Sequence, residues 1–344
     1  MGVAIVDLLK TRELNFNDLK NKVVAIDAFN VLYQFLTTIR QADGTLLKDS
    51  NGNITSHIVG LFARTTNLMS KGIKLVFVFD GETPDLKKQE RERRIELKKE
   101  AKKKYEIAKQ REDIEDMKKY ASRTTKLTPE MVNEAKELLS ALGLPIVQAP
   151  SEGEAQASYM VRQGDVYATV SQDIDSLLFG SPRLIRNLTI SSRRKLAGRL
   201  SYTAVKPEII SLTDTLNELG IDQKQLIVLG MLVGTDFNVG GIKGIGPKKA
   251  LALVREHKHD FDTLFKEAKW DEFFDFSWEI VYDFFENVPV TEDYKLEWNM
   301  PDVDRLKRLL VDGFEFSEER VDNTLAKFLK EKEKHQQKGL NEFF

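Results

Sequence analysis

Seven acids recur at the ends of apolar runs in this chain, and together they have the chemistry of an oxygen-only metal site. Asp27 closes "VVAID", Asp80 closes "LVFVFD", Glu152 and Glu154 follow "LPIVQA", Asp173 and Asp175 follow "YATVS", and Asp236 ends "LVGTDF". One such acid would be a turn or capping residue. The stretch "APSEGEAQAS" shows that alternative locally. Ser151 with Glu154 three residues on makes an S-x-x-E capping box, and Glu152 falls in a first turn where the helix dipole favours a carboxylate. Seven acids gathered at one edge, however, repel each other unless cations neutralise them. Carboxylate-rich oxygen sites suit Mg²⁺ or Mn²⁺, and two such ions about 4 Å apart can activate a water and stabilise the leaving oxygen in phosphodiester cleavage. The convergence therefore favours metal ligation by Glu152 and Glu154, with Ser151 left to cap the helix.

Other chemistries find less support. The 344 residues include no cysteine, which removes disulfides and thiolate zinc sites and points to a reducing intracellular setting. The four histidines contain no H-x-x-x-H pair, so a metal here must be held by oxygen. "GIKGIGPKK" is neither a P-loop nor a G-x-G-x-x-G fingerprint, and there is no G-x-S-x-G nucleophile elbow. The N-terminal apolar patch contains Asp7 and lacks a basic leader, and nothing else approaches a membrane-spanning run. A soluble protein without a membrane partner is expected.

The acids need a scaffold that brings them to one place. "KVVAID", "KLVFVFD", "LPIVQA" and "VYATVSQD" read as buried parallel strands, and segments of helical period lie between them: "FNVLYQFLTTI", "SHIVGLFARTTNLMSKG" and "EMVNEAKELLSALG". Alternation of this kind predicts an α/β fold, a mostly parallel central sheet with helices on both faces. In such sheets the ligand site lies outside the carboxyl ends of the strands, where these acids fall.

Net charge is −2, but the stretch from Leu86 to Lys126 holds 16 Lys or Arg against 9 Asp or Glu. A basic arm is thus set against an acidic body. Lys87, Arg91, Arg94, Lys98 and Lys102 are spaced to share one helical face. That stripe reads equally as a solvated helix or as a phosphate-handling surface following directly on a strand that ends in aspartate. "GGIKGIGPKKAL" reads as a Gly-rich turn between helices, and the polar stretch from Glu331 to Phe344 as a flexible tail ending in "LNEFF".

"IDAFNVLYQFL", "VFVFDGETPDLKK", "APSEGEAQASYM", "VSQDIDSLLFG", "GTDFNVGGIKGIGPKKA" and "QKGLNEFF", in that order, resemble the flap endonuclease family of structure-specific 5′ nucleases in its archaeal and eukaryotic form. The resemblance runs from Met1 to Phe344. It implies that Asp27, Asp80, Glu152, Glu154, Asp173, Asp175 and Asp236 hold two Mg²⁺ ions, with Mn²⁺ able to substitute. It implies that Lys87 and Arg94 act on the scissile phosphate and that Tyr33 stacks near a flipped nucleotide, with Arg91 among the residues that contact DNA. The basic stretch becomes an inserted helical arch, about 82–130, for a 5′ single strand. A helix-two-turn-helix element, about 225–256, grips duplex DNA through Gly241, Lys243, Gly244, Gly246, Lys248 and Lys249, and is a K⁺ site in the family. The loop "RQADGTLLKDSNGNITSH" borders a site for a 3′ flap.

A helical part follows at 257–330, so that 1–330 is one nuclease domain, and 331–344 is a tail whose Gln337, Leu340, Phe343 and Phe344 match a sliding-clamp binding motif. Thr83, Phe237 and Val239 depart from the family pattern without removing a catalytic group. The implied protein is a monomeric, intracellular 5′ flap endonuclease, cytoplasmic or nucleoid-associated, with 5′–3′ exonuclease activity, acting on branched DNA in replication and repair. A non-catalytic, clamp-tethered DNA-binding scaffold would lack one or more of the acids. A metal-dependent RNA nuclease would keep them without needing the arch.

Overall fold

The computed structural model describes residues 3–111, 113–190, 193–195 and 202–341. A short strand β1 (Arg12–Glu13) precedes β2 (Val23–Asp27), whose apolar run passes directly into α1 (Ala28–Thr38) and on to α2 (Ser56–Ser70). After β3 (Lys74–Phe79) come the long charged helix α3 (Lys88–Gln110) and α4 (Ile114–Arg123), and the chain returns through α5 (Pro129–Ala141) to β4 (Ile146–Gln148). Then follow α6 (Gly153–Gln163), β5 (Ala168–Val170), the single turn α7 (Asp175–Leu178) and β6 (Arg183–Arg186). An antiparallel pair of short strands, β7 (Arg193–Lys195) and β8 (Tyr202–Ala204), precedes β9 (Glu208–Ser211). The rest is helical: α8 (Leu212–Leu219), α9 (Gln223–Val233), α10 (Pro247–His257), α11 (Phe261–Glu267), α12 (Trp278–Asn287), α13 (Val303–Lys307) and α14 (Glu318–Asn341).

Seven strands make one sheet in the order β1-β9-β6-β5-β2-β3-β4. β2 runs parallel to β3 and β5, β3 to β4 and β5 to β6, while β9 is antiparallel to both β6 and β1. The parallel centre is apolar on both faces because helices cover both. Along β3, Leu75, Phe77 and Phe79 face the core shared with α1, α2 and α5, whereas Val76 and Val78 face Ala157 and Met160 of α6. That two-residue alternation reads as a continuous apolar run in sequence because neither face meets water. All four parallel partners around β2 end on the same edge, and the acids follow there.

The excursion between β3 and β4 is an arch of two helices packed on each other. Along α3 only Glu90, Ala101 and Ala108 are buried, as its scarcity of apolar residues requires. α5 belongs to the core: Thr128 caps it by accepting the Met131 N–H, and Met131, Ala135, Leu138 and Leu139 are buried. Beyond α10 an aromatic cluster holds the C-terminal helices together, with Phe265 stacked on Trp278 at 4.8 Å between centroids and Trp270 against Phe274 at 4.3 Å.

α14 packs on α2, and its backbone is helical through Asn341, where a flexible tail was expected from Glu331. The reason is local. The run is rich in Glu, Lys and Gln, all strong helix formers, and contains no proline. Among the described residues no helix is long and apolar enough to cross a membrane.

Candidate active site

One cleft of about 550 Å³ at the carboxyl edge of the sheet is lined by all seven acids together with Tyr33, Lys87, Arg91 and Arg94. Each acid is placed by the element it ends or begins. Asp27 is the last residue of β2 and the N-cap of α1, where its Oδ1 accepts the Asn30 N–H at 3.0 Å. Asp80 follows β3, and its Oδ1 accepts the Gly153 N–H at 2.7 Å. That bond corrects the capping reading of Ser151. α6 starts at Gly153 with Glu152 at the N-cap and no side-chain cap of its own, while the Ser151 carbonyl accepts the Gly81 N–H. The cap is delivered across the sheet by Asp80, which a local capping box cannot anticipate. A Cβ on Gly153 would lie 2.7 Å from Asp80 Oδ1, so a side chain there would displace the Asp80 carboxylate from its present position.

Glu154 is held by the Ser171 hydroxyl, which donates to its Oε1 at 2.7 Å, and the same hydroxyl accepts the Asp173 N–H at 3.2 Å. Asp173 receives the Asn30 side-chain amide at 3.0 Å. Asp175, first residue of α7, accepts the Val3 N–H at 2.8 Å, so the opening segment of the chain is tied into the cleft. Asp236 follows α9 and accepts from Arg94 Nη2 at 2.8 Å.

Basic groups from the arch meet these acids. Lys87 Nζ lies 2.5 Å from Glu152 and 3.7 Å from Asp236, above the Phe237 ring. Arg94 is gripped from both sides, by Asp236 and by Glu90, whose carboxylate also accepts from Arg93. Glu90 is only 3% exposed although it sits on the charged helix. Tyr33 lies at the cleft wall with the Lys98 ammonium 5.6 Å from its ring centre.

Seven acids outnumber the cations within reach, and the electrostatics show it. Burial, then repulsion from Asp80 and Asp173, pushes Asp27 well above the usual carboxylate range. Burial and the neighbouring Asp175, Asp27 and Asp173 do the same to Glu154. Burial together with Asp236 and Asp173 raises Asp175 to about 7. Asp80 and Glu152 are raised more modestly, burial being opposed at Asp80 by the Gly153 N–H and Lys87, and at Glu152 by Lys87. Burial works against the Lys87 charge, but Glu152 and Asp236 outweigh it and raise its pKa.

Among the described residues no three carboxylates stand close enough to enclose one ion as they are. The Lys87 ammonium sits between Glu152 and Asp236. The donor set nonetheless fits a hard divalent cation: every donor is an oxygen and the acids are under-compensated.

The remaining sequence-predicted residues lie elsewhere. Gly241, Lys243, Gly244 and Gly246 form the turn between α9 and α10, and Lys248 and Lys249 open α10; none lines the cleft. Lys243, Lys248 and Lys249 are exposed. Gly241 has φ +58°, and a Cβ there would meet the Val233 carbonyl carbon at 2.3 Å. Gln337 and Leu340 fall on the last turns of α14, while Phe343 and Phe344 lie outside the described residues. Sequence reasoning missed Asn30, Ser171 and Glu90. Only Ser171, two residues before Asp173 in "VSQDID", carried a local hint.

Family models match in two blocks, the XPG N-terminal domain over residues 1–101 and the XPG I-region over residues 143–236. The chain is 51% identical over 344 residues to flap endonuclease 1 of Thermococcus onnurineus, covering 100% of this chain and 99% of that one. Among solved structures it is similar to flap endonuclease-1 from Methanococcus jannaschii, at 42% identity and TM-score 0.76, covering 96% of this chain and 98% of that one. It is also similar to the catalytic core of Rad2 in complex with DNA substrate, at 27% identity and TM-score 0.69, over 95% of this chain and 100% of that one.

Proposed function

Because the chain belongs to the flap endonuclease family, we propose that the acid-lined cleft is its catalytic centre, with Asp27, Asp80, Glu152, Glu154, Asp173, Asp175 and Asp236 as the metal-holding set. The chain is a structure-specific 5′ flap nuclease, a metal-dependent phosphodiester hydrolase acting on DNA. The finer reading is two Mg²⁺ ions, replaceable by Mn²⁺. Bound there, they supply Lewis-acid stabilisation of the charge that builds on the scissile phosphate and its leaving oxygen.

The protein's own groups do the rest. Lys87 and Arg94 are attached to Glu152 and Asp236 and point into the cleft. From that position the two side chains would supply positive charge to phosphate oxygens of a bound substrate. Tyr33 offers a ring face to an unpaired base, and Arg91 carries charge along the path of the single strand. The turn of Gly241, Lys243, Gly244 and Gly246, with Lys248 and Lys249, brings exposed charge and backbone N–H groups to duplex phosphates, with K⁺ as a further ligand of the turn. Recognition is then of shape and backbone, and the DNA partner is a branched substrate with a 5′ flap. The polypeptide is organised as one nuclease unit, 1–330, acting as a monomer, with Gln337, Leu340, Phe343 and Phe344 engaging a sliding clamp.

The observation that carries this reading is the meeting of seven acids from five separate chain segments with Lys87 and Arg94 in one cleft. Incubation with 5′-flap, nicked and plain duplex DNA in Mg²⁺ tests it. Cleavage should concentrate at the flap junction, leaving a 5′-phosphate. Asp173→Asn should lose cleavage yet bind flap DNA within a few fold of wild type in Ca²⁺. A fully active Asp173→Asn protein overturns the metal-site assignment.

A further inference from the structure

We infer that Asn30 is a positioning residue for the metal-holding carboxylates, fixing Asp173 relative to Asp27 without cancelling the charge of either. The inference rests on the metal-site reading above. Asn30 sits in the first turn of α1 and lines the cleft. It makes three bonds. Its backbone N–H donates to Asp27 Oδ1 at 3.0 Å, its Nδ2 donates to Asp173 Oδ2 at 3.0 Å, and its Oδ1 accepts the Gln172 N–H at 3.3 Å.

The last of these fixes the amide. The group facing the Gln172 N–H has to be the oxygen, so the NH₂ can only face Asp173. One residue thereby spans the carboxyl ends of β2 and β5, which are adjacent parallel strands whose acids are more than 140 positions apart in sequence.

The type of donor decides what this bond does. Glu152 and Asp236 are held by Lys87 and Arg94, cations that compete with a metal ion for the same charge. The Asn30 amide is neutral. It orients the Asp173 carboxylate without bringing a positive charge of its own to compete with a divalent cation, as hydrogen bonds to metal-ligating carboxylates do. Leucine at this position would keep the volume and lose both side-chain bonds.

The test uses the full-length protein without DNA, and Mn²⁺ as the probe. Mn²⁺ binding followed by electron paramagnetic resonance should weaken by about tenfold in Asn30→Leu and in Asn30→Ala, the range seen when groups behind metal ligands are removed. In flap cleavage the Mg²⁺ concentration for half-maximal rate should rise by a similar factor, while flap affinity in Ca²⁺ and metal-free melting temperature stay near wild type.

Unchanged Mn²⁺ binding in both variants overturns the inference. So does a loss of flap affinity with Mn²⁺ binding intact, which would make Asn30 a DNA contact. Collapse of the metal-free fold in both variants would make it a structural residue instead. Asp173→Asn in the same assay separates the two levels. Wild-type Mn²⁺ binding there fails the metal-site reading itself, whereas its loss beside unaffected Asn30 variants fails only the present inference.

Discussion

Lys87 and Arg94 pair with Glu152 and Asp236 in the cleft, and the proposed function makes these two side chains the contacts to the scissile phosphate. Lys87→Ala and Arg94→Ala should each slow single-turnover flap cleavage by ~10-fold or more, the worth of one charge-assisted contact to developing phosphate charge. Wild-type rates in both would reduce them to surface charges. The acids give a second expectation, with a definite sign. Asp27, Glu154 and Asp175 bind protons more tightly in the folded protein than in the unfolded chain. The stability they contribute is present below the ordinary carboxylate range and is lost as pH rises through their folded values, for Asp175 about 7. Groups shifted the other way, such as Asp43 and Asp260, act only at and below about pH 4, where ordinary carboxylates titrate. Melting temperature in EDTA should therefore fall from pH 5 to pH 8, and Mg²⁺ should restore it most at the alkaline end. A metal-free melting temperature that rises over that interval contradicts the charge crowding described for the cleft.

A glycine-dependent contact fixes how α9 meets the turn that follows it. The turn between α9 and α10 folds back on its own helix end at Gly241, where φ is +58° and a side chain would strike the Val233 carbonyl. Gly241→Ala should lower the melting temperature by several degrees and weaken duplex affinity, while cleavage at saturating protein changes less. Equal duplex affinity in a folded Gly241→Ala protein would detach this turn from DNA binding. The elements themselves were largely legible. β2 and β3 are β-branched and aromatic runs that each stop at an aspartate, and α2 and α5 are followed by Gly72 and Gly143, both in the left-handed region. β6 and β9 are four-residue strands with charged or polar ends, too short for periodicity to mark. The seven acids were legible because each closes an apolar run. Their supports were not: Asp80 caps α6 from 73 positions away, and Asn30 reaches Asp173 across 143. Separations of that size leave no local pattern. Glu90 was hidden differently, as one acid in a run of charges where nothing marks it as the buried one.

Over the whole molecule, of net charge −2, a basic arch is mounted on an acidic body. Flap affinity should fall steeply between 50 and 200 mM salt, by on the order of 10³ if about six phosphates are contacted. A shallow salt dependence would mean that the arch and the turn of Gly241 are not the DNA-binding surfaces. The tail makes the complementary case. Removing residues 331–344 should leave clamp-free flap cleavage and melting temperature near wild type while abolishing clamp-stimulated cleavage. A large loss of stability would show instead that the end of α14 is part of the protein's own packing. The order of the acids along the chain also sets when activity can exist. Asp27 is made early, the arch soon after, and Asp236 more than two hundred residues after Asp27, with all seven acids reaching one edge only when β5 and α9 have taken their places. Synthesis at ~5–20 residues per second separates those events by roughly 10–40 s. A ribosome-bound chain stalled before residue 236 lacks Asp236 and helices α10 to α14 and should therefore not cut flap DNA, so that an unfinished copy is no hazard to the nucleic acid around it.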